Sequence, residues 1–277
     1  MIIAVAGALG AGKTHWICQQ MAQNNNPVGY FSPQTDSVPI DGTYLKGKSP
    51  HLTIYQTGEE GKLLVETDGA IGYIEVPWYI DLAGIEPLLQ TLNARRVALI
   101  PADADNAELR TWANEVLVAR DREGGKVEAE ADSRRVENTL PSASNGHPKT
   151  SLQIHRGVLT GQILDFDSLA TFWLELTQGA YGEVLRAKGI FDLEDGKLYY
   201  GNFVPAQPQL EFHSLNFPRW YQGRPERFSG FEVVGNTLNK AEITQTITDC
   251  FVPESAIPYY QQQIQNSLGI KPEVEVV

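Results

Sequence analysis

Cysteine is scarce. The 277-residue chain has two, Cys18 and Cys250, and their wide separation fits no disulfide framework, zinc cage or redox pair. The expectation is a pair of reduced thiols in a cytoplasmic protein. Histidine is thin as well: His15, His51, His147, His155 and His213 show no ligand spacing, so no zinc site is expected. Basic residues are outnumbered, 22 Lys and Arg against 34 Asp and Glu, giving a net charge of −12. No Lys/Arg cluster offsets this. An acidic surface repels phosphate backbones, so no nucleic-acid partner is expected. No apolar run reaches the roughly 18 residues of a membrane span. The apolar start has no basic residue before its glycines and reads as a strand, not a signal peptide. What is present is 42% hydrophobic and 20% charged, which is material for one large domain or two smaller ones.

The first part of the chain alternates. "MIIAVAG" is a short apolar run ending in glycine, as a buried strand does. "KTHWICQQMAQ" reads as a helix stopped by "NNNP". "VGYFSP" reads as a strand, and the Asp/Gly/Pro-rich "QTDSVPIDGTYLKGKSP" as a long loop. "LTIYQT" and "KLLVET" flank "GEEG" as a hairpin would. "IGYIEV" is a further buried strand, and "LAGIEPLLQTLNA" a helix with Pro87 in its first turn. "RRVALIP", "NAELRTWANE" and "VLVAR" read as strand, helix, strand. Apolar strands alternating with helices imply a parallel sheet covered on both faces.

The composition then shifts. Asp121 to Ser151 is polar, mixed in charge and nearly free of large apolar residues. It cannot bury enough surface to offset its ordering entropy, so a linker is expected there. Beyond it, "LQIHRGVLTGQI" reads as a strand and "DSLATFWLELTQ" as an amphipathic helix capped near Asp167 or Ser168. Two strands surround "EDGK", where Asp-Gly signals a tight turn. "QLEFHSL" and "GFEVVG" add strands, and "NKAEITQTITDCF" a closing helix capped by Asn239. The expected fold class is α/β: a shortened P-loop NTPase-like parallel-sheet domain over residues 1–122, a polar linker over 123–150, and a smaller α+β domain over 151–277.

One motif carries chemistry by itself. Gly7, Gly12, Lys13 and Thr14 satisfy G-x-x-x-x-G-K-[ST], after a strand and before a helix. Glycines let the backbone curl so that its N–H groups converge on phosphate oxygens. The helix points its positive end at the same place. Lys13 reaches the β- and γ-phosphates, and the Thr14 hydroxyl can ligate Mg²⁺. Gly10, Ala8 and Ala11 keep the loop unobstructed.

Further stretches add a resemblance. "VLRAKGIF" followed by "LEDGKLYYGNFV", and later "FEVVGNTLNKAEITQTITDCF", resemble the C-terminal domain of the CobW-like GTPases. That domain carries an R-x-K-G strand, a hairpin, a tryptophan-containing segment and a last strand and helix; Trp220 in "NFPRWYQGRPERF" falls in the right order. "GALGAGKTH" is similar to the family's phosphate motif. Asp41 in "VPIDG" stands where the family tends to have an aspartate after its second strand. The resemblance implies GTP, or another nucleotide with Mg²⁺, held by Gly7, Gly10, Ala11, Gly12, Lys13, Thr14 and His15. It implies Mg²⁺ on Thr14 with Asp41 as a further candidate, and slow hydrolysis, for which Asp41 and Glu75 are the candidate carboxylates beside Asp36. In many members it also implies metal trafficking.

The departures from the family pattern are specific. The C-x-C-C metal motif is absent, and "HLTIYQTGEEGKLLVETDGAI" has no cysteine. Thiolates are what suit such a site to zinc, and His51 alone does not replace them. The E-x-x-G turn after the central strand becomes "EVPW", with Glu75 kept and Trp78 in place of the glycine. The guanine-reading N-K-x-D is replaced by "ARDR", leaving Asp121, out of register, as the acceptor for guanine. Trp78, Tyr79, Trp220 and Tyr221 beside prolines are either partner anchors or packing groups; Arg224 and Arg227 are either phosphate or acidic-partner contacts or surface charges. Three readings stay open. The first is a GTPase-like nucleotide-binding protein with weak or lost hydrolysis and reduced metal handling. The second is a pseudo-GTPase scaffold or assembly factor acting on a protein partner through its C-terminal domain. The third is a metallochaperone.

Overall fold

The computed structural model describes residues 1–23, 28–66, 70–102, 104, 106–119, 152–205 and 207–270. The expected linker over 123–150, with Asp121, Arg122 and His147, lies outside them. Two compact units form. One gathers Met1–Asp36 and His51–Lys149, the other Ser37–Pro50 and Thr150–Val277. The sequence reading placed Ser37–Pro50 in the first domain; its contacts cluster with the second.

The first unit is built on a six-stranded sheet, all parallel: β1 (Ile2–Gly7), β2 (Val28–Phe31), β3 (Thr53–Tyr55), β4 (Ile71–Glu75), β5 (Arg95–Pro101) and β6 (Glu115–Ala119), in the order β3-β2-β4-β1-β5-β6. β1 is central and buried at every position, which is why it reads as a continuous apolar run rather than an alternation. α1 (Lys13–Ala22) follows β1 and buries Lys13, Ile17 and Met21, one turn apart. α3 (Glu60–Glu66), α4 (Leu82–Thr91) and α5 (Ala107–Trp112) contribute Leu63, Ile85, Leu89 and Leu109 to a core that also holds Ala4, Ala6, Phe31, Ile74 and Val76. These are alternate residues along β1, β2 and β4. The residues between them, Val5, Tyr30, Tyr73 and Glu75, therefore project from the opposite face of the sheet.

Two local expectations change in this unit. "KLLVE" is helix α3, not the second strand of a hairpin; a short apolar run fits either state, and here Leu63 is fully buried in the helical form. Pro87 sits inside α4 rather than in its first turn, because the helix starts at an Asp81 cap whose side chain accepts from the Ala83 amide.

The second unit is a five-stranded antiparallel sheet: β7 (Gln153–Val158), β8 (Glu183–Asp192), β9 (Leu198–Val204), β10 (Gln207–Ser214) and β11 (Gly230–Asn236), in the order β10-β9-β8-β11-β7. α6 (Phe166–Thr177) and α7 (Lys240–Asp249) join a core with Ala187, Phe191, Phe203 and Val233. The α6 cap is Asp165, whose carboxylate accepts from the Ser168 amide, two or more residues before the positions expected. The alternate residues Ile190, Leu198 and Tyr200 pack instead with Ile40, Leu215 and the partly buried Tyr44. Ile40 and Tyr44 belong to α2 (Ile40–Lys48), a helix in the stretch that reads as loop. Gly and Pro hide it in the sequence; packing of Ile40, Leu45 and Tyr44 makes it. A last helix, α8 (Ile257–Leu268), is Gln-rich and was not legible; Ile257 and Ile264 anchor it to Trp220, Ile163 and Val252.

Candidate functional site

The glycine-rich loop of the G-x-x-x-x-G-K-T motif runs from Gly7 at the end of β1 to Gly12. Gly7 tolerates no side chain: a Cβ there would meet the Leu99 carbonyl oxygen at 2.7 Å. Gly10 and Gly12 have φ of 77° and 87°, a region that favours glycine. The left-handed Gly12 caps α1 without a side-chain bond. The first N–H groups of α1 have no partner within the helix by its geometry, and they face the loop. Lys13 is only 8% exposed. Its ammonium donates to the Gly7 carbonyl at 2.9 Å and to that of Ala8 at 3.3 Å. It lies across the mouth of the loop rather than out in water.

A carboxylate stands beside the loop. Thr14 Oγ1 donates to Glu75 Oε1 at 2.9 Å. The other oxygen, Oε2, accepts from the Tyr30 hydroxyl at 3.0 Å. Ser32 Oγ donates to the Glu75 backbone carbonyl at 2.9 Å. Glu75 is 5% exposed and Tyr30 2%. Strand geometry explains the gathering. β1 pairs with β4 and β4 with β2, so the ends of the three strands lie side by side. Tyr30 and Ser32 are two residues apart and share a face. The crevice at the carboxyl ends of parallel strands, where the strand order reverses about β1, is where an open α/β sheet binds ligands.

A cavity of about 370 Å³ adjoins the loop, lined by Gly7, Ala8, the Val76–Leu82 turn, Asn106, Glu108 and Leu109. Trp78 is in that wall, set edge-on to Tyr79, and its indole Nε1 is buried without a hydrogen-bond partner.

The sequence candidates are distributed as follows. Gly7, Gly10, Ala11, Gly12, Lys13, Thr14 and Glu75 share this end of the first unit. His15, in the first turn of α1, has its ring nitrogen 2.8 Å from the Gln19 amide in exposed surroundings. Asp36 accepts from the Thr57 amide at 3.1 Å and ties two loops together. Asp41 is in the second unit, where Lys188 Nζ donates to it at 2.5 Å. Lys188 is the lysine of the R-x-K-G strand, and it lies 3.3 Å from Glu232, which also binds Arg156 at 2.7 Å. Burial pulls the Lys188 ammonium toward deprotonation, but Asp41 and Glu232 outweigh it and leave its pKa raised. Trp220 is a core residue, its indole N–H bonded to the Leu193 carbonyl at 3.2 Å. Arg227 pairs with Asp192 at 2.5 Å, and Arg224 with Glu254. Tyr30 and Ser32 were missed by sequence reasoning; the available signal was two polar side chains, i and i+2, at the end of an apolar strand. Among the described residues no three His, Cys, Asp or Glu side chains gather as a metal cage, and no helix is long and apolar enough to cross a membrane.

Comparison with known proteins places the second unit. Residues 162–251 match the family model described as the cobalamin synthesis protein cobW C-terminal domain. No curated protein matches the chain. Solved structures similar to it include the zinc-bound YjiA GTPase of E. coli, at 12% identity over 90% of this chain and 98% of that one, with a TM-score of 0.31. A zinc-bound triple mutant of the YjiA GTPase aligns at 14% identity over the same shares, with a TM-score of 0.30. The family match, not these alignments, carries the identification of the second unit.

Proposed function

We propose that this chain, whose residues 162–251 form a CobW C-terminal domain, binds a nucleoside triphosphate with Mg²⁺ at the Gly7–Thr14 loop and hydrolyses it slowly or not at all. The observation that carries the reading is the Thr14–Glu75 hydrogen bond of 2.9 Å. It sets the hydroxyl that ligates Mg²⁺ in P-loop proteins against a buried carboxylate able to hold one of the ion's waters. The residues fit the ligand. Gly7 keeps the floor clear, Gly10 and Gly12 turn the backbone N–H groups inward, and Lys13 is held over the loop. Hydroxyl, carboxylate and phosphate oxygens are the hard donors that Mg²⁺ takes. The bound ion would neutralise phosphate charge. The chain's own groups do the rest: the loop N–H groups and Lys13 bind the phosphates, and Thr14 and Glu75 orient the ion.

Guanine is the base we favour, from the family resemblance; the stretch with Asp121 is where a base-reading group would be sought. Trp78, at the position of the family's switch glycine, supports weak turnover. A bulky side chain there replaces the flexible backbone that closes on the γ-phosphate. A scaffold role for the second unit is the alternative, favoured by the exposed Tyr259, Leu174 and Phe166, at 61%, 46% and 40%.

The test is affinity for GTP, GDP, ATP and ADP by calorimetry, with single-turnover phosphate release. Lys13→Ala should weaken triphosphate binding at least about 100-fold, since it removes the charge facing the β- and γ-phosphates. Thr14→Ala should remove mainly the Mg²⁺-dependent part. Wild-type protein that binds no nucleotide would overturn this reading and leave the scaffold role.

A further inference from the structure

Resting on that reading of the loop, we infer that Tyr30 positions the Glu75 carboxylate and so sets how strongly Mg²⁺ reinforces nucleotide binding. The two Glu75 oxygens have separate duties. Oε1 faces Thr14, the ion-ligating hydroxyl, at 2.9 Å. Oε2 is taken by Tyr30 at 3.0 Å. A glutamate has three rotatable bonds, and a free one would sample several rotamers at the strand end. Here the backbone is pinned by Ser32 Oγ at the Glu75 carbonyl, and the side-chain tip by Tyr30.

Tyrosine suits that task. Its ring is rigid and buried to 2% exposure, so its hydroxyl stands at a fixed height above the sheet. β2 pairs in parallel with β4, Tyr30 opposite Tyr73. The hydroxyl therefore has to reach two residues up the neighbouring strand, to Glu75. A Ser or Thr at position 30 is too short for this span. A hydroxyl donating to a carboxylate is a charge-assisted bond, about twice as strong as a neutral one. Tyr30 does not touch the nucleotide in this scheme. It acts through Glu75, as the outer partners of metal ligands do elsewhere.

Tyr30→Phe keeps the ring in the core and removes only the hydroxyl. The measurement is the dissociation constant for GTP with and without Mg²⁺, for wild type, Tyr30→Phe, Glu75→Gln and the double variant, with melting temperatures recorded alongside. The expected result is an unchanged Mg²⁺-free constant in Tyr30→Phe and an Mg²⁺ enhancement reduced about tenfold, the worth of one hydrogen bond to a charged group. The double variant should behave like Glu75→Gln alone, because Tyr30 works only through Glu75. A purely structural Tyr30 would lower the melting temperature and leave the Mg²⁺ enhancement intact, and that result would overturn the inference. Additive effects in the double variant would overturn it too. Wild-type protein that binds GTP with no Mg²⁺ response would remove both this inference and the metal half of the proposed function; a normal wild-type response with an unaltered Tyr30→Phe would remove this inference alone.

Discussion

Glu75 and Asp41 are both carboxylates on the early part of the chain, and they keep different company. The Glu75 side chain accepts hydrogen bonds from the hydroxyls of Thr14 and Tyr30. Asp41 meets an ammonium, Lys188, in a row that continues across the sheet to Glu232 and Arg156. The row follows the register: Lys188 lies opposite Glu232 on β11, and Glu232 opposite Arg156 on β7. Alternating charges at neighbouring positions neutralise one another inside the fold. A hydroxyl that donates to a carboxylate keeps its own lone pairs, so the Thr14 oxygen stays able to meet an ion. The comparison separates a row of alternating charges within the second sheet from the hydroxyl-bonded carboxylate on which the proposed nucleotide site rests.

The largest effect expected from breaking the first kind of site is on stability. Lys188→Ala would leave Asp41 and Glu232 without their shared cation, with Glu232 keeping Arg156. Urea unfolding should show a loss of about 3–5 kcal/mol, while nucleotide affinity stays near wild type. An equal loss of affinity and stability would mean that the row serves the nucleotide as well.

A smaller effect concerns Asp192, which is fully buried beside Arg227. Burial pushes its carboxyl up to about 6 from an ordinary value of 3.8, and Arg227 opposes this. Between those two values the folded state holds a proton that the unfolded chain has released, so stability falls as pH rises through that window. The loss is at most about 3 kcal/mol. Asp192→Asn should flatten the slope, as denaturant midpoints measured from pH 4 to pH 7 would show. A slope unchanged in Asp192→Asn would assign it to another group.

The smallest expected effect on stability is at the loop. Gly12→Ala would force a side chain into φ of 87°, at a cost of about 1–2 kcal/mol. The free energy it costs nucleotide binding should exceed the free energy it costs folding. Equal costs would mean that the turn is merely structural.

Legibility differed between the regions for physical reasons. The Gly7–Thr14 loop was readable as a motif because its glycines, Lys13 and Thr14 lie close together in sequence and its left-handed turns need glycine. The parallel sheet beside it was implied by apolar strands alternating with helices, though not its strand order. Glu75 was visible as a carboxylate at a strand end, but not its partners: Tyr30 and Ser32 come from a different strand, and only the β2–β4 register brings them together. α2 was hidden because "PIDGTYLKGK" has poor intrinsic helix propensity; Ile40 and Tyr44 pack it against the second sheet. For the same reason Asp41 read as a loop carboxylate, whereas it lies in α2 and its partner Lys188 is 147 positions away.

The most direct test places the two carboxylates side by side: the Mg²⁺-dependent affinity for GTP of Glu75→Gln and of Asp41→Asn, measured by calorimetry against wild type. The account predicts that Glu75→Gln loses most of the Mg²⁺ enhancement and keeps its melting temperature within a few degrees. It predicts that Asp41→Asn melts lower and keeps the enhancement. A Glu75→Gln variant with a wild-type Mg²⁺ response, or an Asp41→Asn variant without one, would contradict it.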